Sequence, residues 1–415
     1  MKNVFRKYGV IILLLFSVSG IKAQSVQIVS KLVINEEVVG DQAVYTISEK
    51  RLNGSFQIYD TDDSYTITVF RNGMKHGVEE AYNPKEVLLY KGYYSDGLKD
   101  GNWTYYQYRS VTHIENYKKG KADGTWIYYD TRSDKSIKKE DVYIDNLLTE
   151  RREYYLNGVL GSIAYYKDGL RSGVWKTFYQ DSKLNNSTTY TLNRKNGLYE
   201  SYYDNGQLHQ KGNYKDGYYT GDWVSCYKDG TVSVKFTVKE DGENREYTFE
   251  TYHPNGKLKR KGISLDGYLS YFHNTLYDYY DNGQLESEVN YLRGSRDGVS
   301  KLFYKDGKLK ETGTYKKGLR SGEFKAYYEN GKPKSVIVYG DTERKINEDR
   351  YLMNGLYKTF YQDGTLEEEG NYINEVKDGV WKSFKENGQP YFIEIYEMGT
   401  LVKNVDKSEF DKYLK

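Results

Sequence analysis

The sequence predicts an all-β chain: an elongated, twisted, largely single-layer antiparallel meander of tandem β-hairpin repeats of about 24 residues. Three observations carry that expectation. First, the stretch "NGLYESYYDNGQLHQKGNYKDG" at residues 196–217 returns as "NGLYKTFYQDGTLEEEGNYINE" from Asn354, with looser copies from Ser172 and Ser321. Self-similarity at such a period marks one supersecondary unit stacked in an array. Second, runs ending in a double aromatic are followed by Asn-Gly or Asp-Gly, as in Tyr202-Tyr203-Asp204-Asn205-Gly206 and Tyr327-Tyr328-Glu329-Asn330-Gly331. Between such runs that dipeptide is a hairpin signal, because a type I′ turn needs positive φ at both central residues. Third, 48 of the 415 residues are Tyr against 14 Phe, at a mean hydropathy of −0.84. That is too polar for several oily cores and too aromatic for disorder, whereas a sheet open to water favours rings with a polar end.

Taken in order, residues 1–23 read as a cleavable signal peptide: Lys2, Arg6 and Lys7 precede the apolar run Val10–Val18, and Ala23 supplies a small residue for cleavage. The run is too short for a comfortable membrane span, no later stretch approaches that length, and no Cys stands at the cleavage point for a lipid anchor. Cleavage removes Lys2, Arg6, Lys7 and Lys22, so 61 basic residues become 57 against 59 acidic. A balanced mature chain argues against nucleic acid or anionic membrane as the main partner. Its one Cys, Cys226, allows no internal disulfide. Residues 24–50, rich in Val and Ile without the repeat grammar, read as strands capping the first hairpin.

Residues 51–397 read as the repeats. Each opens on Gly, any residue, then a ring or apolar residue, as at Gly101, Gly124, Gly173, Gly221 and Gly379, which place Trp103, Trp126, Trp175, Trp223 and Trp381. The alternation of a strand sorts side chains onto two faces. One carries Trp175, Thr177 and Tyr179, and likewise Tyr357, Thr359 and Tyr361; the reverse carries a charged residue and then a ring, such as Lys176 and Phe178 or Lys358 and Phe360. If Asn-Gly is a two-residue turn in each repeat, Tyr361 lies opposite Leu366 and Tyr357 opposite Gly370, a ring across a strand glycine. Residues 398–415 close the chain; Phe410, Tyr413 and Leu414 at helical spacing predict a short amphipathic helix over the last strand edge.

The pattern G-x-W-x-x-[YF]-Y-x-[ND]-G-x-L-x-x-x-G-x-Y-x-[DN]-G, seen at many places between about residues 50 and 397, resembles the bacterial MORN-repeat-variant family. That resemblance implies hairpin repeats serving as a scaffold or binding module rather than an enzyme. The unit from Asp241 to Asp266 lacks the Gly-x-Trp start, Tyr280 stands in the altered framing "TLYDYYDNG", and a long connection precedes Gly355; irregular sheet is expected at these places.

Chemistry finds little footing. His76, His113, His209, His253 and His273 fall at unrelated repeat positions and read as surface substitutions. Cys226 stands where neighbours carry Tyr202 and Phe178 and reads as a small packing residue. The Asp-Gly pairs are explained as turns, without calcium-loop spacing, and no phosphate-binding glycine fingerprint occurs. No catalytic, metal or cofactor site is expected. The expected function is an exported scaffold, in the periplasm, at the outer surface or outside a bacterial cell, that binds another protein; edge-to-edge self-association is a further expectation. The alternative is a carbohydrate or cell-wall module using exposed aromatic rows. The candidate binding face is the reverse one, at Phe178, Tyr202, Tyr327 and Phe360, while the five Trp, Gly206 and Gly331 are expected to be structural.

Overall fold

The computed structural model describes residues 26–40, 42–131, 136–241, 244–340 and 352–414. The expected signal peptide, and most of the long connection before Gly355, lie outside them. The chain divides into two units, up to Gly206 and from Gln207. Each is a run of antiparallel strands paired in chain order, from Gly54–Tyr59 with Tyr65–Arg71 in the first unit to Pro390–Glu397 with Thr400–Asn404 in the second.

Two kinds of turn alternate, and they are not distributed as the sequence suggests. The turns at Asn205-Gly206 and Asn330-Gly331 are not type I′: of their residues only Gly206 (φ +87°) and Gly331 (φ +83°) have positive φ, and each donates its N–H to the Tyr three residues earlier, Tyr203 and Tyr328. This is a turn closed by a glycine bulge. The bulge shifts the register, so that Phe360, not Tyr361, faces Leu366, while Tyr357 faces Gly370 as expected. True two-residue turns with both φ positive sit at the opposite end of the hairpins, at Asp216-Gly217, Lys317-Gly318 and even Leu192-Asn193. Leu192 has no intrinsic taste for that conformation; the flanking ladder imposes it.

The start of the chain adds two features. Val26–Ser30 runs parallel to Gly54–Tyr59, and Asn35–Val39, Gln42–Ile47 and Lys50–Arg51 form a separate small sheet. Between them Val29, Leu52, Phe56 and Phe70 make an apolar cluster. At the far end the expected helix is a 3-10 helix, Lys407–Lys412, capped by the Asp406 carboxylate accepting from Ser408 N–H. It covers a face rather than an edge: Phe410 and Val405 bury Ile393, with Val380, Ile395 and Tyr413 against them, while Leu414 stays exposed.

Expected irregularity at Asp241–Asp266 is found only in part. Val232–Asp241 and Asn244–Tyr252 pair without a register shift. The departure comes afterwards, where the Asp266 carboxylate gathers Ser264, Ser270 and Tyr271 into a loop. Burial resists the charge of Asp266, yet those hydrogen bonds hold its pKa down at about 2.

Candidate functional site

Two faces are available in each unit, and the repeat spends its rings mainly on one. On the indole face Trp103, Trp223 and Trp381 are buried, Trp126 and Trp175 half-buried. Every indole N–H donates to a carbonyl ten residues earlier: Trp103 to Tyr93, Trp126 to Asn116, Trp175 to Tyr165, Trp223 to Asn213 and Trp381 to Asn371. The ring that lies on a strand glycine is therefore this one, from the next hairpin, and not the directly paired Tyr. A Cβ placed on Gly370 would stand 2.2 Å from the Trp381 ring, and one on Gly212 2.0 Å from Trp223. A cation four residues before the ring lies over it, Lys99 on Trp103 at 4.1 Å and Lys377 on Trp381 at 4.0 Å.

A second ladder explains the choice of Tyr over Phe. A Tyr that opens a bulged turn donates its hydroxyl to a carbonyl of the next hairpin: Tyr155 to Phe178 and Tyr179 to Tyr202 in the first unit, Tyr227 to Tyr252, Tyr280 to Phe303, Tyr304 to Tyr327, Tyr328 to Phe360 and Tyr361 to Phe384 in the second, at 2.7–2.8 Å. His253 fills the slot with its Nε2 at 2.9 Å from the Tyr279 carbonyl, so it is part of the frame rather than a surface substitution. These phenols end on backbone, not in water.

The candidate residues Phe178, Tyr202, Tyr327 and Phe360 thus occupy one repeat slot, on the reverse face by strand alternation, each half-buried and each lending its carbonyl to the ladder. Around them the reverse face carries ion pairs, Lys358 and Lys382 on Glu369 and Lys301 on Glu288. It also carries a feature the sequence reading passed over: the residue between the glycine and the ring is a half-exposed aliphatic, Val78, Val174 and Leu198 in the first unit, Val299 and Leu356 in the second. Its signal was present in "GVE", "GVW", "GLY" and "GVS".

The first unit also holds a polar belt on its indole face. Glu79, buried, accepts from Thr68, Lys75 and Tyr90. Glu115 accepts from the hydroxyls of Tyr105 and Tyr117, and Asp141, buried, is gripped by Arg151 and Lys139. His113 stacks between Tyr105 (4.2 Å) and Tyr128 (5.7 Å). Burial lowers the pKa of His113 and, against the pull of Glu115, that of Lys99. Burial raises the phenol of Tyr128 to about 12. For Asp141 burial opposes ionisation, but the hydrogen bonds and charges of Arg151 and Lys139 prevail and hold it below the ordinary carboxylate range. Each of these three carboxylates is committed to partners within the sheet. Cys226 is buried, its thiol pushed up by desolvation. Among the described residues no group of three His, Cys, Asp or Glu is placed to hold a metal ion, and no helix is long and apolar enough to cross a membrane.

The MORN repeat variant family matches this chain seven times, at residues 195–216, 245–264, 272–292, 296–317, 320–341, 353–374 and 377–398. No curated protein matches it. Among solved structures, the chain is similar to the crystal structure of TcdB2-TccC3 at 9% identity and a TM-score of 0.14, covering 84% of this chain and 28% of that one. For the same complex without its hypervariable C-terminal region the values are 9% and 0.14, over 88% and 21%. This chain thus spans less than a third of either.

Proposed function

Because this chain is a MORN-variant repeat protein over residues 195–398, we propose that it is an exported, non-enzymatic scaffold that binds another protein at the cell envelope or surface. The observation supporting this reading is the division of labour between the faces. Phenol hydroxyls and indole N–H groups are used between hairpins, which leaves the reverse face with half-exposed aliphatics set among Lys–Glu pairs. Such a mixture suits a protein surface, whose apolar anchors are ringed by charge. Stacking on sugars calls instead for free ring faces, and the most exposed rings, Tyr108 and Tyr268, stand far apart in the sequence at 90% and 92% exposure.

The test places a photo-crosslinking residue at Val174 or Val299 in the exported chain and identifies the adducts by mass spectrometry. A protein adduct that disappears when L198S accompanies the probe at Val174, or L356S the probe at Val299, with circular dichroism unchanged, supports the scaffold. Retention on peptidoglycan or polysaccharide that those substitutions leave intact, without a protein adduct, sinks it in favour of the glycan reading.

A further inference from the structure

The slot between glycine and ring is open in most of the described hairpins, but at Val380 the C-terminal segment covers it, and that cover shows what fits it. In the last hairpin Val380 pairs with Ile395, and Lys382 with Ile393, placing Val380, Ile393 and Ile395 on the reverse face. The C-terminal segment lies on them: Val405 N–H donates to the Ile393 carbonyl at 2.8 Å, the Asp406 cap turns the chain into the 3-10 helix, and Phe410 drops into the cluster with Tyr413 beside it. Outside the contact, Glu409 pairs with Lys403 at 2.8 Å. The chain therefore displays a docked segment in which one short turn presents Phe410 and Tyr413 to the aliphatic side chains of Val380, Ile393 and Ile395.

The hairpin formed by Met74–Tyr82 and Leu88–Ser95 offers a cross-strand pair at the same register without a cover. Val78 takes the place of Val380 and faces Tyr93, which takes the place of Ile395. Strand alternation puts Leu89 on that face too, and the three are exposed at 41%, 40% and 39%. Lys91 replaces Ile393, its charged end held by Glu80 at 2.8 Å and its stem free to lie along an occupant.

We infer that the reverse-face patch of Val78, Leu89 and Tyr93 docks a short, turn-forming segment of another protein anchored by an aromatic side chain, as the chain's own Phe410 is anchored on Ile393 with Val380 and Ile395 beside it. This rests on the protein-binding reading and specifies the partner's chemistry: a polar or acidic cap, then a ring two to four residues on, as in Asp406 and Phe410. A rigid pleated surface with exposed aliphatics takes such a segment because the turn is locally pre-organised and only the anchor must be desolvated.

The experiment uses the full mature chain with its own tail in place. The probe is a labelled synthetic peptide of residues 403–414, "KNVDKSEFDKYL", with a photo-reactive ring at the Phe410 position for mapping. Saturable binding is expected, with crosslinks in residues 78–93. It should weaken at least about tenfold for the F410A peptide and for V78S or Y93S protein, single exposed substitutions that leave circular dichroism unchanged. Absence of saturable binding, crosslinks confined to the Val380–Ile395 slot by displacement of the resident tail, or binding indifferent to V78S and Y93S each overturn the inference. Adducts from Val174 and Val299 with an envelope protein would persist in that case, and their loss would mark failure of the wider reading instead.

Discussion

The two units use one ladder grammar but fill its central row differently. On the indole face of the first unit the row runs from Thr68 opposite Glu79 through Trp103 opposite Glu115 to Asp141 opposite Arg151. In the second unit the same row reads Trp223 opposite Phe236 and Phe236 opposite Phe249, then Val289 opposite Ser300, Phe324 opposite Ile337 and Tyr357 opposite Gly370. The first unit, as far as Arg151, is tied across its middle largely by charge-assisted hydrogen bonds, with Trp103 closing over Gly92, whereas the second is tied by rings closing over glycines and aliphatics. A pleated ladder accepts either because each residue meets only its strand neighbours, so chemistry can change from one hairpin to the next without altering the fold.

That contrast can be broken most severely at its apolar end. Trp381→Ala removes a buried indole, its hydrogen bond to Asn371 and the cover of Gly370; about 3–5 kcal/mol of stability should be lost. The loss should be nearly independent of pH and salt, read as early hydrogen exchange in residues 353–384. Asp141→Ala in the first unit should cost about 3 kcal/mol, because it strands Arg151 and Lys139, which keep some access to water. Here the response to pH differs. The folded pKa of Asp141 is lowered, so its contribution is present above the unfolded carboxylate value and fades as pH falls through the lowered one. Acid should therefore erase the difference between Asp141→Ala and the parent while leaving the Trp381→Ala difference in place. A smaller effect is expected for Gly370→Ala, whose methyl meets the Trp381 ring: about 1–3 kcal/mol from overpacking, checked by urea unfolding.

Much of this fold was legible in the sequence, because period, turn dipeptides and strand alternation act locally. The opposition of Tyr357 and Gly370 followed from counting alone. What counting missed arises between hairpins. Nothing near Asn330-Gly331 says that its turn carries a bulge and that the two-residue turns lie at the far end, since the strand twist decides between them. Gly370 announces that something must approach closely, but not that Trp381 of the following strand does so. The aliphatic slot at Val78 and Val299 was written in the repeat, yet its exposure depends on whether another segment, as at Val380, folds back over it. Likewise Glu79 and Asp141 look like solvated strand charges until the register sets them among Lys75, Arg151 and Lys139.

The smallest effect sharpens the comparison most, because the tyrosine ladder is common to both units. Tyr179→Phe in the first and Tyr304→Phe in the second keep the ring and delete one hydroxyl, leaving the carbonyls of Tyr202 and Tyr327 without that donor. A net hydrogen bond contributes about 0.5–1.5 kcal/mol, and each of these phenols is only part-buried, so water can replace the donor and the cost should sit at the lower end. The two substitutions should therefore cost the same within error, measured as local opening by hydrogen exchange at the following hairpin. If Tyr179→Phe cost several times more than Tyr304→Phe, the frame itself would differ between the units. The polar belt and the ring-and-glycine row would then be consequences of that difference and not alternative fillings of one frame.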